Sequence, residues 1–287
     1  LEISNCLNSS HWKGEDVMGI FFNEFTRYVG KTEQGQVLTP DHITSLVYRI
    51  TETTYKDHVL DACCGTGAFL VKAMCNMIEE VGGNNTTEAN KIKTERLFGI
   101  ERDIELHAVT CANMLIHKDG KTNIENDDST TDTVGKWIKS KKITKVLMNP
   151  PFERKHKCLH IVKNVLDNVE DGAICAFILP DRKLEVGRKT VEKWFKQHTL
   201  LKIIKLPEDI FDEGVTTSIF IFQAHKKQNN KDIFCCYIEN DGLVRVKNQG
   251  RHDINNEWLQ SLEDYWVKII DNKSGDNSIK FINPETD

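Results

Sequence analysis

From Val59 onward, short apolar runs alternate with stretches whose apolar residues recur every three or four positions. That alternation predicts buried strands joined by amphipathic crossover helices, the pattern of an α/β fold with a mostly parallel sheet. Strands are expected at 58–62, 96–100, 122–126, 143–148, 172–179, 200–206 and 216–223, with helices between them, notably at 68–80, 104–116, 157–169 and 183–197. Upstream, Val17, Ile20, Phe21, Phe25 and Val29 share one face of a helix over 15–29, an element suited to docking. Pro40 can open a second helix, with Asp41 in its first turn and an apolar face running to Ile50. The stretch 81–93 reads as a polar surface insertion, the pattern weakens beyond residue 240, and residues 271–287 read as a loose tail. The chain therefore divides into an N-terminal helical segment (1–34), a main α/β domain (35–240) and a C-terminal extension (241–287).

Composition narrows the classes. At 287 residues the chain can bury a full core. A net charge of −5 opposes holding nucleic acid by bulk electrostatics, so any such contact must be a local basic patch or be shared with a partner. No apolar run reaches the roughly 18 residues of a membrane span. The nine cysteines are odd in number and scattered, with no C-x-x-C pair, which fits reduced thiols in a cytoplasmic protein and not a zinc site. The first residues lack both an initiator Met and a signal-peptide pattern, so the chain reads as a fragment of a longer protein or a trimmed one.

The segment "VLDACCGTGAFLVKA" ends a strand at Asp61, turns through Gly65-Thr66-Gly67 and enters an apolar helical face. Glycines there let backbone approach a ligand where any Cβ would clash. Alone, the segment is also an ordinary tight turn. Leu70 stands where a dinucleotide fingerprint needs its third glycine, and no phosphate-cradling G-x-x-x-x-G-K-[ST] is present. A ligand with a ribose but no phosphate suits the turn better, and S-adenosylmethionine is one. The next strand ends in Glu101, a carboxylate placed to accept both ribose hydroxyl protons, unless it merely pairs with a surface cation. The third strand ends in "NIENDDS", where Asp127 or Asp128 could take a hydrogen bond from an adenine amino group.

The second site is "NPPF", residues 149–152, at the carboxyl end of the fourth strand. An exocyclic amino nitrogen on adenine is a poor nucleophile, because its lone pair is delocalised into the ring. Accepting its two N–H protons on Asn149 Oδ1 and the Pro150 carbonyl would free that lone pair, with Pro150 and Pro151 fixing the backbone in advance. Phe152 would stack on a base that has left its helix, and Arg154, Lys155 and Lys157 would meet nearby phosphates. The plain alternative is a Pro-Pro turn with a core Phe and a solvated basic run.

With these motifs in this order, the chain resembles the modification (methyltransferase) subunit of type I restriction-modification systems, in the N6-adenine DNA methyltransferase family. "GQVLTP" is similar to the family's segment ahead of the first strand, and "VLDACCGTGAFL", "GIERD", "NDDS" and "NPPF" follow, over roughly residues 15–250. The resemblance implies a seven-stranded, Rossmann-like methyltransferase sheet. It implies S-adenosylmethionine bound by Asp61, Cys63, Gly65, Thr66, Gly67, Glu101 and Asp128, with Thr39 and Pro40 closing the pocket. Catalysis would fall to Asn149, Pro150, Pro151 and Phe152. The implied partners are double-stranded DNA with a flipped adenine, a DNA specificity subunit and a restriction subunit. Departures are Ala62 for the usual Pro, Leu38 for the usual aromatic, a short segment after Phe152 and no long helical region upstream. Rival readings are a protein-glutamine or RNA methyltransferase of the same fold, and a degenerate module kept for assembly.

Overall fold

The apolar runs become strands β1 (Val59–Asp61), β2 (Leu97–Ile100), β3 (Ile124–Glu125), β4 (Lys145–Met148), β5 (Ile174–Pro180), β6 (Thr199–Lys205) and β7 (Thr217–Gln223), close to the expected spans. The structure is a computed structural model that describes residues 16, 18, 19, 38–117, 123–152, 157–186, 188–211, 214–229, 231–246, 250–275 and 277–284. Of the expected docking helix at 15–29, all but residues 16, 18 and 19 lie outside the described residues. So do Arg154, Lys155 and the side chain of Lys157.

Strands β3, β2, β1, β4 and β5 pair in parallel, and β7 runs antiparallel between β5 and β6. Because β1 pairs with β2 on one side and β4 on the other, chain connections diverge between β1 and β4. A crevice opens at the carboxyl ends of strands at such a point. Asp61 ends β1 and Asn149 follows β4, so the two sequence motifs meet there.

Helices α1 (Asp41–Ile50) and α2 (Ala68–Glu80) cover one face, where Leu46, Phe69, Leu70 and Met74 are fully buried. The other face is covered through Val134, Ile138, Val162, Leu166 and Trp194. Stretch 81–93 is not wholly a surface insertion. Thr86 caps a short helix, α3 (Thr87–Lys91), by accepting from the Ala89 N–H at 3.0 Å, and a π-helical turn (Ile92–Arg96) follows. Ala89 and Ile92 sit three apart and are completely buried, which anchors the polar run. Helix α4 (Ile104–Ile116) matches the expectation, and α5 (Asp132–Ser140), with Val134 and Ile138 at helical spacing, fills the crossover expected between the third and fourth strands. Helix α6 (Lys157–Asn168) follows β4, and the helix expected at 183–197 is described as α7 (Lys183–Val186) and α8 (Arg188–Phe195), with residue 187 outside the described residues.

The C-terminal residues are not a loose tail. Strand β8 (Ile233–Tyr237) adds to β6 in parallel, β9 (Val244–Val246) and β10 (Gly250–His252) form a small ribbon, and α9 (Glu263–Asn272) packs on α1. Strand β11 (Ile279–Ile282) then pairs antiparallel with β8, giving a nine-stranded main sheet among the described residues, two strands beyond the seven expected. The expectation failed because 271–287 is mostly polar, and an edge strand of four residues needs only Ile279 and Ile282 turned toward the protein. No described helix is long and apolar enough to cross a membrane.

Candidate active site

Asp61 closes β1, and the chain turns between Cys64 and Gly67, whose N–H donates to the Cys64 carbonyl at 2.7 Å. Gly65 and Gly67 adopt φ of +54° and +91°, conformations that side chains disfavour. At Gly65 a Cβ would meet open space, so backbone conformation alone demands glycine; at Gly67 it would also lie 3.0 Å from Thr110 Cγ2. The Gly65 N–H donates to Glu101 Oε2 at 2.9 Å, and Glu101 Oε1 accepts the Asp103 N–H at 2.8 Å. Glu101 thus faces the glycine turn from the end of β2, where the sequence pattern put it, and among the described residues it accepts from backbone amides and not from surface cations.

Asp61 is 2% exposed, and its Oδ1 accepts the Cys63 N–H at 3.1 Å. Burial pushes this carboxyl up to about 8, the neighbouring Glu101 charge adds to the rise, and the Cys63 hydrogen bond offsets part of it. Burial likewise holds the Cys63 and Cys64 thiols well above the ordinary thiol range, which makes neither a nucleophile.

Across the cleft, the Asn149 side-chain amide donates to the Thr39 hydroxyl at 3.0 Å. Thr39, Asp61, Cys63, Gly65, Thr66 and Asn149 line one cleft, joined by Leu38, Cys64, Ala68 and Phe69. Pro40 sits behind it as the entry to α1, its carbonyl accepting the Ile43 N–H at 3.0 Å. Phe152 is half-buried and meets the Phe211 ring edge-on at 5.4 Å. Asp128 does not line the cleft. Its Oδ1 accepts from the Thr130 N–H and hydroxyl at 2.9 and 2.7 Å, while Asp127 is exposed and takes the Asp128 N–H.

Sequence reasoning missed Asp16, Thr110, Asn113 and Phe211. Thr110 and Asn113 stand three apart on α4, one face of a helix, and that spacing was the available signal. The Thr110 hydroxyl donates to the Gly65 carbonyl, and Asn113 Nδ2 donates to the Thr66 carbonyl at 2.9 Å.

The family model for N-6 DNA methylase matches residues 13–170, a span that contains Thr39, the glycine turn, Glu101 and Asn149 through Phe152. The chain belongs to the N-6 DNA methylase family. This bears out the resemblance drawn from the motifs. Among curated N-6 methylase relatives, the type II restriction enzyme and methyltransferase RM.BcgI of Heyndrickxia coagulans is 37% identical over 254 residues, 82% of this chain and 39% of the relative. The type I restriction enzyme EcoEI methylase subunit of Escherichia coli is 23% identical over 260 residues, 83% of this chain and 51% of the relative. The chain thus spans about half or less of each. A solved modification subunit assigned to a type I restriction enzyme of Vibrio vulnificus YJ016 shares the fold, with a TM-score of 0.73 at 18% identity over 93% of this chain and 59% of that one.

Proposed function

We propose that this N-6 methylase chain is the catalytic part of a site-specific DNA N6-adenine methyltransferase that uses S-adenosylmethionine. The observation that carries the reading is the single cleft at the carboxyl ends of β1 and β4, where Asp61 and the glycine turn face Asn149. The groups around it fit this cofactor. Two acids, Asp61 and Glu101, stand at the glycine turn, which disfavours a phosphate and suits ribose hydroxyls and a cationic ligand. Gly65 carries no side chain where one would project into open space.

When bound, S-adenosylmethionine supplies an electrophilic methyl group on sulfur. The residues of the chain then have separable tasks. Glu101 accepts ribose hydroxyl protons while keeping the Gly65 turn in place. Thr39 walls the cleft on the side of α1, and Pro40 sets the entry to that helix behind it. Asn149 Oδ1 and the Pro150 carbonyl accept the two N–H protons of the adenine amine, and Pro151 keeps that carbonyl fixed. Phe152 stacks on the base, which in a duplex must first be flipped out.

The names of the relatives support a restriction-modification setting. The net charge of −5 leaves DNA recognition to a specificity subunit that works beside this chain, in a system that also restricts DNA. The greater identity to RM.BcgI, 37% against 23%, favours restriction and methylation within one polypeptide over a separate restriction subunit.

Two substitutions test the reading. Glu101→Ala should weaken S-adenosylmethionine binding in a calorimetric titration, since a hydrogen bond to a charged group is worth about 1.5–3 kcal/mol. Asn149→Ala should keep cofactor affinity and lose transfer of labelled methyl groups to DNA in the complete system. Parental methylation by Asn149→Ala would refute the acceptor chemistry, and methyl label found on protein or RNA would move the chain to another substrate class.

A further inference from the structure

The glycine turn is held from a side that none of the sequence motifs covers. Asp16 Oδ1 accepts the Gly19 N–H and Asn113 Nδ2, each at 2.7 Å, and its Oδ2 accepts the Thr66 hydroxyl. Asn113 also donates to the Thr66 carbonyl at 2.9 Å, and the Met18 N–H approaches Asn113 Oδ1 at 3.5 Å. One turn earlier on α4, Thr110 holds the Gly65 carbonyl. Thr66, Thr110 and Asn113 are shut off from water, at 2%, 0% and 0% exposure.

Four polar groups of residues 65 and 66 are thereby engaged. The Gly65 N–H goes to Glu101, both carbonyls go to α4, and the Thr66 hydroxyl goes to Asp16. A turn between two glycines has little conformational preference of its own, so these contacts are what select its shape. Asp16 reaches them from 50 residues upstream. Asp16 is half-buried, and drawing its carboxyl partly out of water costs solvation that an apolar side chain serving packing alone would not. Burial pushes the Asp16 carboxyl up, and the Thr66, Gly19 and Asn113 donors hold it partly down, as expected for a group placed to receive them.

We propose that Asp16 is a positioning residue for the cofactor. Acting through Thr66 and Asn113, it holds the turn in the shape that aims the Gly65 N–H at Glu101 and keeps the cleft open to its ligand. This inference rests on the reading of the cleft as an S-adenosylmethionine site.

The test compares the parental protein with Asp16→Ala, Asp16→Asn and Thr66→Val. Each is titrated with S-adenosylmethionine by calorimetry, assayed for DNA methylation and melted. Asparagine can keep the Gly19 and Asn113 donors on its oxygen and turn its amide toward Thr66, whose hydroxyl also accepts. Asp16→Ala should raise Kd and KM for the cofactor about tenfold or more with kcat within about twofold, and Asp16→Asn should restore most of the affinity. A merely structural role would lower the melting temperature and kcat and leave KM in place, and that result overturns the proposal. If Asp16→Ala does not fold, Thr66→Val gives the same KM-against-kcat reading. A parental protein that binds no S-adenosylmethionine overturns both readings; a binding parent with unmoved Asp16 and Thr66 variants overturns this one alone.

Discussion

The Asn149 amide nitrogen lies 3.0 Å from the Thr39 hydroxyl, joining segments 110 residues apart in sequence. That bond assigns the nitrogen end of the amide to Thr39, and the oxygen at the other end is the proposed acceptor for an adenine N–H. Thr39→Val removes the hydroxyl at nearly constant volume, and a neutral hydrogen bond is worth about 0.5–1.5 kcal/mol. Methylation at saturating cofactor should therefore fall roughly three- to tenfold in Thr39→Val and recover in Thr39→Ser. Equal single-turnover rates for all three proteins would detach Thr39 from the orientation of Asn149.

Asp61 gives a pH signature. In the folded, cofactor-free chain burial raises its carboxyl from 3.8 to about 8. Between those values the folded state holds a proton that the unfolded state has released, so stability falls as pH rises through the window and levels off above it. Asp61→Asn should flatten that slope in urea unfolding midpoints measured from about pH 5 to 8. A sulfonium ligand favours the ionised carboxyl, so S-adenosylmethionine should release protons on binding and bind more tightly toward pH ~8, with a smaller effect for the uncharged sulfur of S-adenosylhomocysteine. Calorimetry in buffers of different ionisation enthalpy reads the proton count directly.

Both motifs and the order of the seven main strands were legible in the sequence because each leaves a local trace. Buried parallel strands read as apolar runs, and a turn at positive φ forces Gly65 and Gly67. Groups that support the site from a distance leave no such trace. Asp16 is one acid among many until the fold brings it to Thr66, and Phe211 is an ordinary loop aromatic until it meets Phe152. The C-terminal residues were misjudged for a related reason. Trp258, Trp266 and Ile270 are buried, but they are spread among polar residues and gain meaning only against α1.

That packing can be measured. Trp258 is 1% exposed and meets the His42 ring edge-on at 5.3 Å, beside the helix that begins after Thr39 and Pro40. Replacing a buried Trp by Ala costs about 3–5 kcal/mol, so Trp258→Ala should show a large loss in chemical denaturation. The nearby Arg49–Asp264 pair, at 2.6 Å, is partly exposed, and Arg49→Ala should cost about 1 kcal/mol or less. A tail docked only loosely would make both substitutions equally mild.

Phe152 separates packing from base stacking. Its ring is half-buried, edge-on to Phe211 and against the core that includes Phe69 and Leu147, whereas Phe211 is 2% exposed and wholly part of that core. A leucine at either position keeps most of the apolar contact and removes the flat face. For Phe211→Leu the loss should therefore appear in stability, as a changed shape in a packed core typically costs under about 1.5 kcal/mol. For Phe152→Leu the loss should appear in function, because stacking a base on an aromatic ring is worth about 1–3 kcal/mol and leucine offers no such surface. The expected outcome is a melting temperature near parental for Phe152→Leu, unchanged S-adenosylmethionine affinity, and a KM for DNA or a methylation rate worse by roughly five- to a hundredfold. Replacing the target adenine by an abasic site sharpens the comparison. Parental protein should lose DNA affinity when the base is removed, while Phe152→Leu, already lacking the stacking face, should lose much less. If the variant and the parent responded alike to the missing base, Phe152 would be a core residue with no hand in holding the adenine.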